Sequence, residues 1–309
     1  MNLYRFEKNQ LVINIAGTRF GGQPGEFPTV LCGTIFYHGH DIVRDADHGV
    51  FDRFRAEMLV SKQAELSDNT GNPSVLHIYG RTAQAFERYL CFAEDCWDGP
   101  IIIDSADAAT RMFMCSLVSE IGFADKSIFN SISLATRPDE ALAIKDSEVD
   151  SAIILAYNPA GSSIERSLSV LDDGAGVKEK GLLHLARDLG LTNLLVDPGV
   201  VPLGNGAGSA LRFSVVAKAK FGLPVGSGIH NAVSSWTWLK NKGRENRLCC
   251  DAAAAAMQVL SSGDFLLYGP IDHADFIFPA VAMADIMVAE AVKDLDIWSV
   301  PEHPLHRLV

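Results

Sequence analysis

The chain has 309 residues, 48% of them hydrophobic and 21% charged, with a formal net charge of −12 at pH 7. That composition excludes an intrinsically disordered chain and leaves enough length for one large core. The negative charge has the wrong sign for phosphate-backbone contacts or a polybasic membrane patch, which excludes nucleic acid and anionic lipid as main partners. The N-terminus MNLYRFEKNQ lacks a basic region followed by an apolar core, and no apolar run approaches the roughly 18 residues that span a bilayer. A cytoplasmic protein acting on a small molecule or a protein partner is therefore expected, without membrane insertion.

Residues 1–26 precede the first strong strand signal. Alternation in LVINIAGTRFGGQ predicts a small hairpin there, closing the bottom of the domain. Eight short apolar runs follow: TVLCGTIFY from Thr29, SVLHIYG from Ser74, PIIIDS from Pro100, KSIFNSIS from Lys126, SAIILAYNP from Ser151, NLLVDPG from Asn193, LPVGSGIHN from Leu223 and DFLLYGP from Asp264. Short apolar runs bounded by turn residues have the pattern of parallel strands covered on both faces. Helical periodicity fills the intervals, in FDRFRAEMLVSKQAELSDNTG, AQAFERYLCFAEDC, AATRMFMCSLVSEIG, KEKGLLHLARDLG and CCDAAAAAMQVLSSG, several ending on the glycine expected just past a helix. Strand–helix alternation without a Gly-x-Gly-x-x-Gly fingerprint predicts an α/β fold, a single (β/α)₈ TIM barrel over residues 1–309.

In such a barrel chemistry sits at the C-terminal ends of the strands. Those tips carry His77, Asp104 with Ser105, Asn130 with Ser131, Asn158, Asp197, and Ser227 with His230 and Asn231. No lysine is among them, which argues against a Schiff-base mechanism: Lys126 opens its strand at the other end, and Lys218 and Lys220 fall in a helical segment. Asp272, His273 and Asp275 follow the eighth run, yet the first tip reads Thr34, Phe36, Tyr37 and offers no His-x-His pair. DHADF is read as a helix start, and no catalytic metal is expected. The six cysteines lack paired zinc-site spacings and read as reduced core thiols. Protease, P-loop and hydrolase motifs are absent. Carboxylates and amides on neighbouring tips suit an aminopyrimidinone ring such as a pterin. Its ring N–H and exocyclic amine donate side by side to a carboxylate, and an amide answers its mixed edge. Taken singly, each residue also fits a helix cap.

GTRFGGQPGEFPTVLCGTIFYHGH, AELSDNTGNPSV, IIIDS, IFNSIS and VDPG together resemble the H component of tetrahydromethanopterin S-methyltransferase and its stand-alone bacterial relatives, the corrinoid-to-tetrahydrofolate methyltransferases. The resemblance covers nearly the whole chain. More distantly, the strand ends are similar to those of other pterin-binding barrels, including the corrinoid iron-sulfur protein methyltransferase and dihydropteroate synthase. It implies that Asp104, Asn130 and Asp197 hold the pterin ring, with Asn158 a weaker contact. The position near N5 on the seventh strand falls to Ser227 or Asn231, so that Asn130, Ser227 and Asn231 form the implied catalytic group. The implied reaction moves a methyl group from a methylated corrinoid (methylcobalamin type) to N5 of tetrahydrofolate, giving cob(I)alamin and 5-methyltetrahydrofolate. The Asp-x-His-x-x-Gly motif of corrinoid carriers is missing, so a partner corrinoid protein is expected to dock over the mouth, beside the loop Pro202–Ala210, and a homodimer is implied. Three alternatives stay open: the same transfer to tetrahydromethanopterin, a dihydropteroate-synthase-like condensation, and a non-catalytic pterin-binding subunit. The second would need a cationic cluster for a departing pyrophosphate, which the strand tips do not carry.

Overall fold

The structure is a computed structural model that describes residues 4–309; the first three residues of the expected 1–26 extension lie outside the described residues. Eight parallel strands form the frame: β1 (Val30–Ile35), β2 (Ser74–Tyr79), β3 (Ile101–Asp104), β4 (Ser127–Ile132), β5 (Ser151–Leu155), β6 (Asn193–Asp197), β7 (Gly226–Ser227) and β8 (Phe265–Pro270). Their order is β6-β5-β4-β3-β2-β1-β8-β7, and a parallel bridge between Val196 and Val225 joins the two ends into a (β/α)₈ barrel. The helices are α1 (Arg53–Thr70), α2 (Ala83–Cys96), α3 (Ala108–Glu120), α4 (Pro138–Lys145), α5 (Ile164–Asp172), α6 (Leu182–Asp188), α7 (Ser209–Phe221), α8 (His230–Ser234), α9 (Thr237–Lys240), α10 (Gly243–Leu260), α11 (Ala274–Ala291) and α12 (Pro304–Leu308).

Local chemistry sets several boundaries. Asp52, Thr82 and Asp107 each accept a backbone N–H as N-caps of α1, α2 and α3, and Gly71 ends α1 in the left-handed conformation. Two sequence expectations change. The run from Leu223 forms strand only at Gly226–Ser227, because Asn231 N–H turns back onto the Gly228 carbonyl and begins α8. The segment after β5 carries two short helices, α5 and α6, where one was expected.

Strand alternation places the site. Cys32, Val75, Ile102, Ile128, Ile153, Leu195 and Phe265 meet in one buried cluster inside the barrel. Two residues further along the same strands come Thr34, His77, Asp104, Asn130, Leu155, Asp197 and Leu267, all lining the cavity at the C-terminal end. Period-two geometry thus stacks a largely polar layer on an apolar one. At the opposite end an antiparallel hairpin, Val12–Ile15 with Thr18–Gly21, adds Ile13, Ile15 and Phe20 to the same cluster. The buried Lys218 of α7 ties this region together, donating from Nζ to the Gly22 carbonyl at 2.9 Å and pairing with Asp264, which in turn accepts Val225 N–H at 2.8 Å.

Candidate functional site

The barrel mouth opens into a cavity of about 770 Å³. Asp104, Asn130, Asp197 and Asn231 all line it; Asn158 and Ser227 do not. The Asn158 side chain is turned into its own loop, accepting from Ala160 N–H at 2.9 Å and donating to the Arg166 carbonyl at 3.1 Å. Ser227 is fully buried and donates to Gln258 Oε1 at 2.8 Å, outside the cavity wall. Of the two residues at β7 that the resemblance left open, the geometry therefore brings only Asn231 to the cavity.

Neither aspartate is a helix cap. Asp107 caps α3, which leaves Asp104 free to enter a chain of side-chain contacts: Thr34 Oγ1 lies 2.9 Å from His77 Nδ1, and His77 Nε2 lies 3.0 Å from Asp104 Oδ2. A hydroxyl donating to Nδ1 fixes the tautomer in which Nε2–H donates to the carboxylate. Asp104 Oδ2 is thus held, and Oδ1 has no protein donor among the described residues. Asp197 repeats the arrangement on β6. Its Oδ1 accepts from Gly199 N–H at 2.7 Å, which the positive φ of Gly199, 70°, brings into line. Helix α7 starts only at Ser209, well beyond capping reach. Burial pushes the Asp197 carboxyl up from 3.8 to about 6, with the Gly199 N–H acting in the opposite sense. Between these carboxylates, the Asn130 amide has no protein partner among the described residues. Two carboxylate oxygens and one complete amide therefore face the cavity, the set that can meet a ligand edge carrying adjacent N–H donors.

The opposite wall is aromatic and neutral. His230 sits over Gly269, whose φ is 84° and where an added Cβ would lie 2.6 Å from His230 Nδ1, so only glycine admits the ring so close. Burial drives the His230 imidazole down to about 4, with His273 and His77 adding to the effect and Asp251 opposing it, so at neutral pH the ring is uncharged and can accept a hydrogen bond. The sequence places both His77 and His230 at strand tips without assigning them a role; the contacts of His77 and the Gly269 seat of His230 depend on packing between strands. Arg111 is the only lysine or arginine lining the cavity among the described residues. Its guanidinium is neutralised by the buried Glu140 and also donates to the Ser105 carbonyl at 2.7 Å.

The eighth strand tip differs from its expectation. Asp272 is not a cap but accepts from Tyr37 Oη at 3.1 Å and lies 3.2 Å from His40 Nε2. With Asp41 these groups bring three possible metal-ligand atoms within 4.8 Å of one another. Their chemistry does not suit an ion: Phe36 N–H donates to His40 Nδ1, which leaves the neutral-ring proton on Nε2, and Arg55 pairs with Asp41 at 2.7 Å.

Fold and site define the chain as a (β/α)₈ barrel with an acid-and-amide cavity at its catalytic end. Solved structures of the same architecture include dihydropteroate synthase from Xanthomonas albilineans in complex with 7,8-dihydropteroate (TM-score 0.58, 17% identity, 91% of this chain and 98% of that one). Another is the Yersinia pestis enzyme with a pterine-sulfa conjugate (TM-score 0.59, 12% identity, 90% and 99%). At these identities the likeness shows the fold alone. Sequence relatives are far nearer: the H component of a putative mtx methyltransferase from Methanosarcina mazei is 48% identical, covering 99% of this chain and all of the relative. The H component of tetrahydromethanopterin S-methyltransferase from Methanothermobacter marburgensis is 45% identical with the same coverage. The family model for the tetrahydromethanopterin S-methyltransferase MtrH subunit matches residues 8–300, and the chain belongs to that methyltransferase subunit family. Among the described residues no helix is long and apolar enough to cross a membrane.

Proposed function

We propose that this protein transfers a methyl group between a corrinoid carried by a partner protein and N5 of a tetrahydropterin. The observation that carries this reading is the convergence of Asp104, Asn130 and Asp197 in one cavity, in a chain of a methyltransferase subunit family. The two carboxylates accept from the ring N–H and exocyclic amine, and Asn130 meets the mixed donor and acceptor edge. In the favoured direction the N5 lone pair forms the new N–C bond, the cobalt–carbon electron pair remains on cobalt as Co(I), and the N5 proton is released. Asn231 hydrogen-bonds the reacting nitrogen, the neutral His230 offers a hydrogen-bond acceptor beside it, and the proton passes to solvent. No protein atom becomes covalently bonded, so catalysis rests on positioning and electrostatics.

The aminopyrimidinone edge is common to tetrahydrofolate and tetrahydromethanopterin, which differ in their tails and ring methyls. Tetrahydrofolate is the acceptor that the resemblance to the stand-alone bacterial members implies, whereas relatives at 43–45% identity carry names that point to tetrahydromethanopterin. The test is an anaerobic visible-absorbance assay with a methylated corrinoid protein and each pterin in turn. Appearance of the Co(I) spectrum with equimolar 5-methylpterin is expected, and the pterin that supports it is the acceptor. Binding of both substrates with no transfer would replace this reading by a non-catalytic pterin-binding subunit. A dihydropteroate-synthase-like condensation is disfavoured because the cavity's one guanidinium is already neutralised by Glu140.

A further inference from the structure

Beside the main cavity lies a second pocket of about 190 Å³, built from the loop after β1, the tip of β2 and α2. Tyr37 lines both spaces, so the side pocket adjoins the barrel mouth. Its walls carry Arg44, Arg81, His38, Tyr79 and Tyr89, and no carboxylate lines it among the described residues. In a chain of net charge −12 this lining is basic, with Asp52 and Asp47 as the arginines' partners just outside it. Tyr89 supplies an independent sign of a missing partner: the residue is 1% exposed, and its Oη has no hydrogen-bond partner among the described residues. A buried hydroxyl left unpaired is costly unless something else meets it. Among the described residues Arg44 pairs with the half-buried Asp52 at 3.3 Å and Arg81 with the exposed Asp47 at 3.0 Å; both guanidinium groups are themselves exposed, so these pairs contribute little and can be exchanged for a ligand anion.

We infer that this pocket is the subsite for the carboxylate-bearing tail of the tetrahydropterin, with Arg44 and Arg81 receiving the acid group and Tyr89 Oη donating to it. The inference rests on the functional reading above and specifies it further, because the two acceptors differ in their tails as well as in their ring methyls. A volume of about 190 Å³ has room for a glutaryl-sized group.

The test is calorimetric binding of three probes to the intact protein: a tail-less 6-methyltetrahydropterin, tetrahydrofolate and tetrahydromethanopterin. Wild type is expected to bind at least one tailed compound about 10- to 100-fold more tightly than the tail-less one, the range for charge-assisted hydrogen bonds. The double variant Arg44→Gln/Arg81→Gln should abolish most of that preference and leave the tail-less affinity unchanged. Tyr89→Phe keeps the 3.9 Å ring stack on Phe36 and should reduce only tailed binding, by about 3- to 10-fold. Whichever tailed pterin shows the arginine-dependent gain is the one the pocket selects. Equal affinity for tailed and tail-less probes, or variants that weaken all three alike, would overturn the subsite while leaving the ring site standing. Failure of every pterin to bind wild type would overturn the functional reading and the subsite together.

Discussion

At the residue scale, Asp197 is placed in conflict between folding and binding. Its carboxyl rises from 3.8 to about 6 because burial penalises the charge, and only one backbone N–H opposes that. A carboxyl whose folded pKa exceeds its unfolded value stabilises the fold below about pH 4, and this contribution is lost as pH climbs through about 6. The rise corresponds to about 3 kcal/mol as an upper figure. Asp197→Asn, which keeps an acceptor for Gly199 N–H, should therefore become more stable than wild type at pH 7.5 by about 1–3 kcal/mol, with the gap closing by pH 4.5. Urea unfolding at the two pH values measures this. Pterin affinity should move the other way, falling about 10- to 100-fold in the variant through loss of charge-assisted bonds. In wild type it should weaken as pH drops below about 6, because the protonated carboxyl no longer accepts from two donors. A variant that is neither more stable at pH 7.5 nor weaker in binding would remove Asp197 from the site. The sequence already carried Asp104, Asn130 and Asp197, since each stands on an apolar strand two residues beyond a core position. It did not separate Asn231 from Ser227, nor keep Asn158 out of the cavity, because those outcomes depend on Gln258, Arg166 and Ala160, partners that strand periodicity does not reveal.

At the scale of elements, the contrast between β1 and β7 explains what periodicity could and could not fix. The VLCGTI of β1 is a six-residue buried strand whose pattern is plain, whereas β7 pairs only through Gly226 and Ser227 and has almost no side chain to read. Its place is held instead by Asp264, which accepts Val225 N–H while pairing with Lys218. That pair is buried, at 1% and 9% side-chain exposure, so removing the cation leaves an uncompensated charge. Lys218→Met is expected to cost about 3–5 kcal/mol at pH 7. The deficit should shrink as pH falls, because burial already raises the Asp264 carboxyl and the lost ammonium raises it further, so protonation relieves the variant first. Lys218→Met/Asp264→Asn should recover part of the loss in the same denaturation series. If the single variant unfolds like wild type, the node does not hold β7 against the hairpin. The short ribbon Val43–Asp45 with Val50–Phe51, not expected from the sequence, belongs to the same class of element: two brief strands whose pairing is set by the turn between them and by packing on Tyr89.

For the whole molecule, the proposed transfer raises the question of how a corrinoid protein would reach a cavity that the pterin ring would occupy. The loop after β6 and the α8–α9 segment stand together on the mouth side, joined where Leu203 N–H donates to Ser235 Oγ at 3.3 Å. They expose Leu203 (47%) and Trp238 (58%), with Tyr157 (44%) at the edge of the cavity itself. Apolar side chains exposed in one region beside a cavity mark a contact surface, and tryptophan is a frequent energetic centre of such surfaces. A corrinoid protein docking here would place its cofactor above the cavity, with Trp238 stacked on Trp236 at 4.9 Å as a rigid anchor. Leu203→Asp/Trp238→Ala should raise the half-saturating concentration of the corrinoid protein by about 10-fold or more, the usual effect of losing an interface anchor. Calorimetric affinity for the pterin should not change, since neither residue lines the cavity. The discriminating control is free methylcobalamin, which needs the cavity but no protein contact: its turnover should be unaltered in the double variant. Equal loss with free and protein-bound corrinoid would mean that the substitutions disturb the barrel mouth instead of the docking face, and unchanged kinetics with both would move the partner to another surface.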